Sequence, residues 1–123
     1  MWYYCYNMNL DDVCDFFVNA DKLLLTTHET PDGDGLGAEY ALCSALLDIG
    51  KDVKILNSDP YSSKYTFFDQ QKLIKTLGVD SDYPPDLKER SLVILDTDPT
   101  NIGPIAETLL ESCRNIIVID HHT

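Results

Sequence analysis

The stretch Thr26-Thr27-His28-Glu29-Thr30-Pro31-Asp32-Gly33-Asp34-Gly35-Leu36-Gly37 carries an imidazole and two carboxylates at the spacing His28-x-x-x-Asp32-x-Asp34. An apolar run, Leu23-Leu24-Leu25, precedes it and a helical pattern follows, so these groups stand where a buried strand ends and a helix begins. Two other places repeat the arrangement. Asp96 follows Leu92-Val93-Ile94-Leu95, and Asp120-His121-His122 follow Ile116-Ile117-Val118-Ile119. Each residue has a plainer reading taken singly: an aspartate after a strand is most often a helix N-cap, as Asp98 is expected to be, and Asp-Gly-Asp-Gly makes turns. A calcium loop is excluded, because the Asp-x-Asp-x-Asp-Gly spacing and the distal glutamate are missing. Taken together, all three histidines of the chain lie at strand ends beside aspartates, which structural needs alone rarely produce.

Mixed imidazole and carboxylate donors suit manganese, or another borderline divalent ion, better than magnesium or calcium. Five or more donors exceed one tetrahedral site, so two ions are expected. Two ions about 3.5–4 Å apart clamp a phosphoryl group for in-line attack. No cysteine lies in the cluster, which argues against structural zinc. Gly33, Gly35 and Gly37 alternate rather than forming Gly-x-Gly-x-x-Gly, so a nicotinamide cofactor is not expected. Gly35 and Gly37 instead let the loop fold tightly and the helix start close to the sheet.

The elements that must position these groups follow from periodicity. Leu10, Val13, Phe16, Phe17 and Ala20 recur at helical spacing, with Asn9 as N-cap and Asp12 three residues on, predicting a helix from Leu10 to Asn19. Lys22 to Thr27 reads as a strand. Leu36 to Ile49 reads as a helix closed by Gly50, and Val53 to Leu56 as a second strand, outer or supplying polar contacts. Lys64 to Phe68 reads as a helical turn packing aromatics on the core, and Gln70 to Leu77 as a helix capped by Gly78. A third strand covers Leu92 to Leu95, a helix Ile102 to Cys113, and a fourth strand Ile116 to Ile119. Four continuously apolar strands alternating with helices predict a parallel α/β sheet buried on both faces. In such a sheet the strand ends lie on one edge, so the donors converge in one crevice.

With 123 residues, 44% apolar and 24% charged, the chain has the content of one ordinary globular domain. No apolar run approaches the roughly 18–20 residues of a bilayer span. The opening Met1-Trp2-Tyr3-Tyr4-Cys5-Tyr6-Asn7 lacks the basic and apolar regions of a secretory signal, and residues 1–7 read as an upstream extension. Cys5, Cys14, Cys43 and Cys113 show no Cys-x-x-Cys pair and read as reduced thiols of a cytoplasmic protein, with Cys14 and Cys43 in the core. A formal charge of −12 excludes a nucleic-acid groove built on bulk positive charge, though not a phosphate substrate held through cations.

His28-Glu29-Thr30-Pro31-Asp32-Gly33-Asp34, Leu95-Asp96-Thr97 and Asp120-His121-His122 resemble the first three motifs of the DHH phosphoesterase superfamily, over roughly Lys22 to Thr123. The Thr-Thr-His-x-x-Pro-Asp-Gly-Asp form most resembles the bacterial bifunctional oligoribonuclease and phosphoadenosine-phosphate phosphatase group. Asn57-Ser58-Asp59-Pro60 with Tyr65 and Phe67-Phe68 also resembles that group. The resemblance implies a three-layer Rossmann-like sheet, here truncated after about four strands. It implies that His28 and Asp32 bind a first metal, Asp34 and His121 a second, and that Asp96 bridges both. His122 would contact the scissile phosphate and Asp120 would support the histidines. The implied cofactor is Mn2+, two ions per complete site, with Mg2+ or Co2+ as substitutes.

The implied substrates are short RNA oligomers or the 3′-phosphate of a phosphoadenosine phosphate, with no membrane partner and a homodimer as the full-length state. Two departures stand out. Gly37-Ala38 replaces the family's usual Gly-Ser, and the fourth motif and the C-terminal substrate-binding domain do not follow, so residues 8–123 read as a partial catalytic domain. The competing readings are a non-catalytic metal- or nucleotide-binding fragment, a cyclic-dinucleotide phosphodiesterase, a RecJ-type exonuclease and a manganese pyrophosphatase.

Overall fold

Strand β2 (Lys22–Thr26) shows why the central apolar runs are continuous. Leu23 and Leu25 point into one core and Leu24 into another, and all three are fully buried. Strands β5 (Ser91–Leu95) and β6 (Asn115–Ile119) do the same, with Val93 and Ile117 on the first side and Leu92, Ile94, Ile116 and Val118 on the second. A strand covered on both faces has no polar side to show, as in parallel sheets generally. The computed structural model describes residues 2–4 and 9–121.

Among the described residues, six strands form one parallel sheet: β1 (Trp2–Tyr4), β2, β3 (Asp52–Asn57), β4 (Ile74–Thr76), β5 and β6, in the order β1-β6-β5-β2-β3-β4. Helices α1 (Leu10–Asn19) and α2 (Gly33–Asp48) pack on one face, through Val13, Phe16 and Phe17 and through Leu36, Cys43 and Leu46. Helix α3 (Ala106–Ser112) and the segment before it cover the other face, with Ile102, Ile105 and Leu109 fully buried. The three-layer arrangement expected from the four apolar runs is present, with the short strands β1 and β4 added at its two edges. At the amino ends of the strands, the buried Arg90 guanidinium binds Asp86, Asp52 and the carbonyl of Leu23, tying three segments together.

Helix α1 begins as its sequence predicts. The Asn9 side chain accepts from the Asp12 N–H at 2.8 Å, and the Asp12 carboxylate accepts from the Asn9 N–H at 3.4 Å, a reciprocal capping box. Other elements depart from expectation. The helix expected over Gln70 to Leu77 is absent: Lys72 sits at φ +53°, which ends helical propagation, and the Asp69 carboxylate takes the N–H groups of Leu73 and Ile74. Ile74–Thr76 instead pairs with the edge of β3, so a tertiary contact overrides local propensity. The helix expected from Ile102 is shorter, because Gly103 at φ +84° separates a 3-10 turn at Pro99–Asn101 from α3. Cys43 lies in the core, but Cys14 is on the exposed side of α1.

Candidate metal centre

The strand order reverses between β2 and β5: the chain leaves β2 toward β3 and leaves β5 toward β6 on the other side. Connections diverging from adjacent strands leave a crevice at their carboxyl ends, where open α/β sheets bind ligands. His28 follows β2, Asp96 follows β5, and Asp120 and His121 follow β6. The Asp96 N–H donates to the Ile119 carbonyl at 2.9 Å, which aligns the exits of β5 and β6. Asp96 itself adopts φ +63°, a left-handed conformation that a non-glycine residue holds only when its surroundings impose it. Helix α2 starts at Gly33, three residues earlier than the apolar pattern suggests. Asp32 is its N-cap, accepting from the Gly35 N–H at 3.2 Å, and Asp34 stands in the first helical turn.

Two groups of donors result, each with its ligand atoms mutually within 4.8 Å: His28, Asp32 and Asp96, and Asp34, Asp96 and His121. Asp96 belongs to both. Its Oδ1 lies 2.7 Å from His121 Nε2, and its Oδ2 lies 3.9 Å from His28 Nε2. Asp32 Oδ1 lies 3.5 Å from the same His28 nitrogen. On the other side of the ring, His28 Nδ1 lies 2.7 Å from the Glu29 carbonyl oxygen. That oxygen can only accept, so Nδ1 carries the proton and, in the neutral ring, Nε2 faces the carboxylates with a free lone pair. Asp32 keeps its charge readily. Burial pushes its carboxyl upward, but the Gly35 N–H and the nearby His28 imidazole outweigh this and hold it below its usual range.

The cleft that contains both groups has a volume of about 450 Å³ and is also lined by Thr30, Thr97, Asn101 and Asp120. Two hydrogen bonds brace residues that line it: the Glu29 N–H donates to the Asn101 carbonyl, and the Thr30 N–H to the Asp59 carboxylate. A larger cleft, about 640 Å³, lies at the opposite end of the sheet beside Asp12, Lys22, Glu89 and Arg114. Among the described residues it holds no convergent set of metal donors.

Residues 22–123 match the DHH family, N-terminal domain. The chain belongs to the DHH family. No curated protein matches it. Among solved structures, it is similar to the crystal structure of an exopolyphosphatase-related protein from Bacteroides fragilis, with 23% identity and a TM-score of 0.79 over 91% of this chain. The chain spans 34% of the length of that structure. At this identity the likeness establishes the fold, a parallel α/β sheet with flanking helices.

In this DHH-family chain, the structure brings His28, Asp32, Asp34, Asp96 and His121 together and puts Asp120 on the wall of the same cleft. His122, expected to contact the scissile phosphate, lies outside the described residues. Asp98 caps the 3-10 turn, accepting from the Thr100 N–H. Gly33 admits the Tyr65 ring, which would stand 3.3 Å from a Cβ there, whereas nothing lies within 4 Å of a Cβ on Gly37. Sequence reasoning missed the residues beneath the DHH centre: Thr27, Asn57 and Glu39 are buried and hydrogen-bonded to one another in a chain. The available signal was a polar pair at each strand exit, Thr26-Thr27 and Asn57-Ser58, directly after apolar runs. β3 is flanked by β4 rather than being the outer strand, and it supplies its polar contacts through Asn57.

Proposed function

We propose that the chain is the metal-binding part of a two-metal phosphoesterase acting on short RNA oligonucleotides or on the 3′-phosphate of a phosphoadenosine phosphate. The observation that carries the reading is the division of Asp96, whose two oxygens face His121 and His28 separately. A carboxylate shared between two three-donor groups fits a bridged pair of cations and has no purpose in a single tetrahedral site. His28, Asp32 and Asp96 would hold one ion, and Asp34, Asp96 and His121 the other. Imidazole with carboxylate favours Mn2+, with Mg2+ or Co2+ as weaker substitutes. When bound, such a pair supplies Lewis-acid polarisation of a phosphoryl oxygen and lowers the pKa of water.

The chain's own contribution is placement. The Glu29 carbonyl holds the His28 tautomer, which leaves Nε2 as the ligating atom. The left-handed backbone at Asp96 aims one carboxylate at both groups. The N-terminus of the 16-residue α2 adds a positive dipole beside Asp32 and Asp34, where an anionic substrate would approach. His122 would contact the phosphoryl group and Asp120 would orient the histidine pair. The Thr-Thr-His-x-x-Pro-Asp-Gly-Asp form supports the oligoribonuclease and phosphoadenosine-phosphate phosphatase group over other DHH hydrolases.

The test is Mn2+ titration of the chain, then incubation with a ribodinucleotide, phosphoadenosine phosphate or inorganic polyphosphate. Polyphosphate is included because the matched structure is titled exopolyphosphatase-related. The expected result is two bound ions and slow, Mn2+-dependent release of mononucleotide or phosphate from the first two substrates. Both are lost in Asp96→Ala. No Mn2+ binding at millimolar concentration would overturn the site, and turnover of polyphosphate alone would overturn the substrate class.

A further inference from the structure

Glu39 lies in the middle of α2 with none of its surface exposed. Its Oε1 accepts from Asn57 Nδ2 at 2.9 Å, and its Oε2 has no hydrogen-bond partner. Burial, with a smaller push from Asp69, raises its carboxyl well above the ordinary range, against the opposing pull of the Asn57 amide. An unpaired carboxylate at such a depth is costly to keep charged, which favours the protonated form.

The position is odd for an acid unless the acid orients something. The primary amide of Asn57 has one oxygen and one NH2, and its orientation is decided by its partners. Glu39 takes the NH2 side. The Asn57 oxygen is thereby turned toward β2, where it accepts from the Thr27 N–H at 3.1 Å and from Thr26 Oγ1 at 3.3 Å. Thr27 in turn donates from Oγ1 to the Leu95 carbonyl of β5 at 2.8 Å. The residues that follow Thr27 and Leu95 are His28 and Asp96. A continuous line of hydrogen bonds therefore runs from α2 through β3 and β2 to β5, one residue below the donors, and Glu39 is its origin.

We propose that Glu39 is a positioning residue for the metal centre: it locks the Asn57 amide so that Thr27 is clamped between β3 and β5, which sets His28 against Asp96. The proposal rests on the two-cation reading above. Removing the acceptor leaves the buried Asn57 NH2 unsatisfied, frees the amide to turn, and takes away the one oxygen that meets the Thr27 N–H. Glutamine at position 39 keeps a neutral group of the same shape with an oxygen for Asn57, so it should substitute fully.

The experiment compares Mn2+ affinity, by electron paramagnetic resonance titration of the whole chain, with the thermal midpoint in metal-free buffer. The expected result is binding weakened by about tenfold or more in Glu39→Leu, as for other partners that orient metal ligands, and binding within about twofold of wild type in Glu39→Gln. Leu109→Ala, fully buried on the opposite face in α3, should lower the thermal midpoint and leave Mn2+ affinity unchanged. Wild-type affinity in Glu39→Leu overturns the proposal, as does equal weakening in Leu109→Ala, which would reduce the effect to general stability. If Glu39→Leu does not fold, Glu39→Asp decides by the same criterion, because it keeps the carboxyl but withdraws it from Asn57. Absence of binding by the wild-type chain, or unaltered binding in Asp96→Ala, would instead refute the two-cation reading and the proposal with it.

Discussion

Gly35 packs against the side chain of Thr27 so closely that a Cβ on Gly35 would collide with Thr27 Oγ1 and stand 3.2 Å from the Thr27 Cβ. Helix α2 starts here, capped by Asp32 and carrying Asp34, and Thr27 directly follows β2 and precedes His28. The missing side chain at position 35 sets the distance between them.

Gly35→Ala should therefore destabilise the fold although alanine is the better helix former. Overpacking costs roughly 1–3 kcal/mol, against a propensity gain of about 1 kcal/mol. Gly37→Ala, where a Cβ meets nothing within 4 Å, should keep that gain and stabilise by up to about 1 kcal/mol. Urea denaturation of the two variants should give opposite signs; equal effects would contradict the packing account.

The shared position of Asp96 predicts an asymmetry in metal stoichiometry. Asp34→Ala removes a donor from one group and should leave close to one Mn2+ bound, as should Asp32→Ala for the other. Asp96→Ala should abolish both. Isothermal titration calorimetry would read the counts; one ion retained in Asp96→Ala would show that the two groups are independent.

Two acids, Asp86 and Glu39, should give stability slopes of opposite sign. Hydrogen bonds from Arg90 and Lys22 hold the Asp86 carboxyl far below its ordinary 3.8. With the folded value depressed, its stabilisation is complete above about pH 4 and is lost as pH falls toward the folded value. Asp86→Asn should flatten the acid limb below that point. Glu39 is raised from 4.5, so its contribution is greatest below about pH 4.5 and is lost as pH climbs toward the folded value. As pH rises above about 4.5 toward the folded value, Glu39→Gln should gain in thermal midpoint relative to wild type. A gap that does not change with pH would mean that Glu39 is ionised in the folded chain.

Arg90 anchors the far end of the sheet. Its guanidinium is 1% exposed and meets Asp86, Asp52 and the Leu23 carbonyl. Arg90→Ala would strip Asp86 and Asp52 of a shared counter-charge and leave the buried Leu23 carbonyl without its donor, and should cost roughly 1–3 kcal/mol by denaturant unfolding. Arg90→Lys should recover only part of this, because an ammonium cannot reproduce the guanidinium fork.

The four central strands and the gathering of donors at their ends were readable because both follow from local chemistry. A run such as Ile116-Ile117-Val118-Ile119 has no polar face, so it belongs inside a two-sided sheet, and a polar residue at its end must then emerge at the edge. Capping is local in the same way, and Asn9 with Asp12 acts as its spacing implies. Gln70 to Leu77 was misread because its outcome depends on β3, which is distant in sequence and offers an open edge to Ile74–Thr76. Cys14 was misplaced because α1 packs on the sheet through Val13, Phe16, Phe17 and Ala20, and Cys14 lies outside that stripe.

By itself, the sequence determined which groups meet: strand ends in a parallel sheet share one edge, so His28, Asp96 and His121 had to converge. The tertiary structure alone decided how they face one another. Strand order put β5 beside β2, a left-handed backbone turned Asp96 between two histidines, and the missing side chain of Gly35 let α2 bring Asp32 and Asp34 close. The same is true of the Glu39–Asn57–Thr27 line, whose members lie 12 to 30 positions apart. Hydrogen bonds between distant positions depend on packing distance and angle, which periodicity and spacing do not carry.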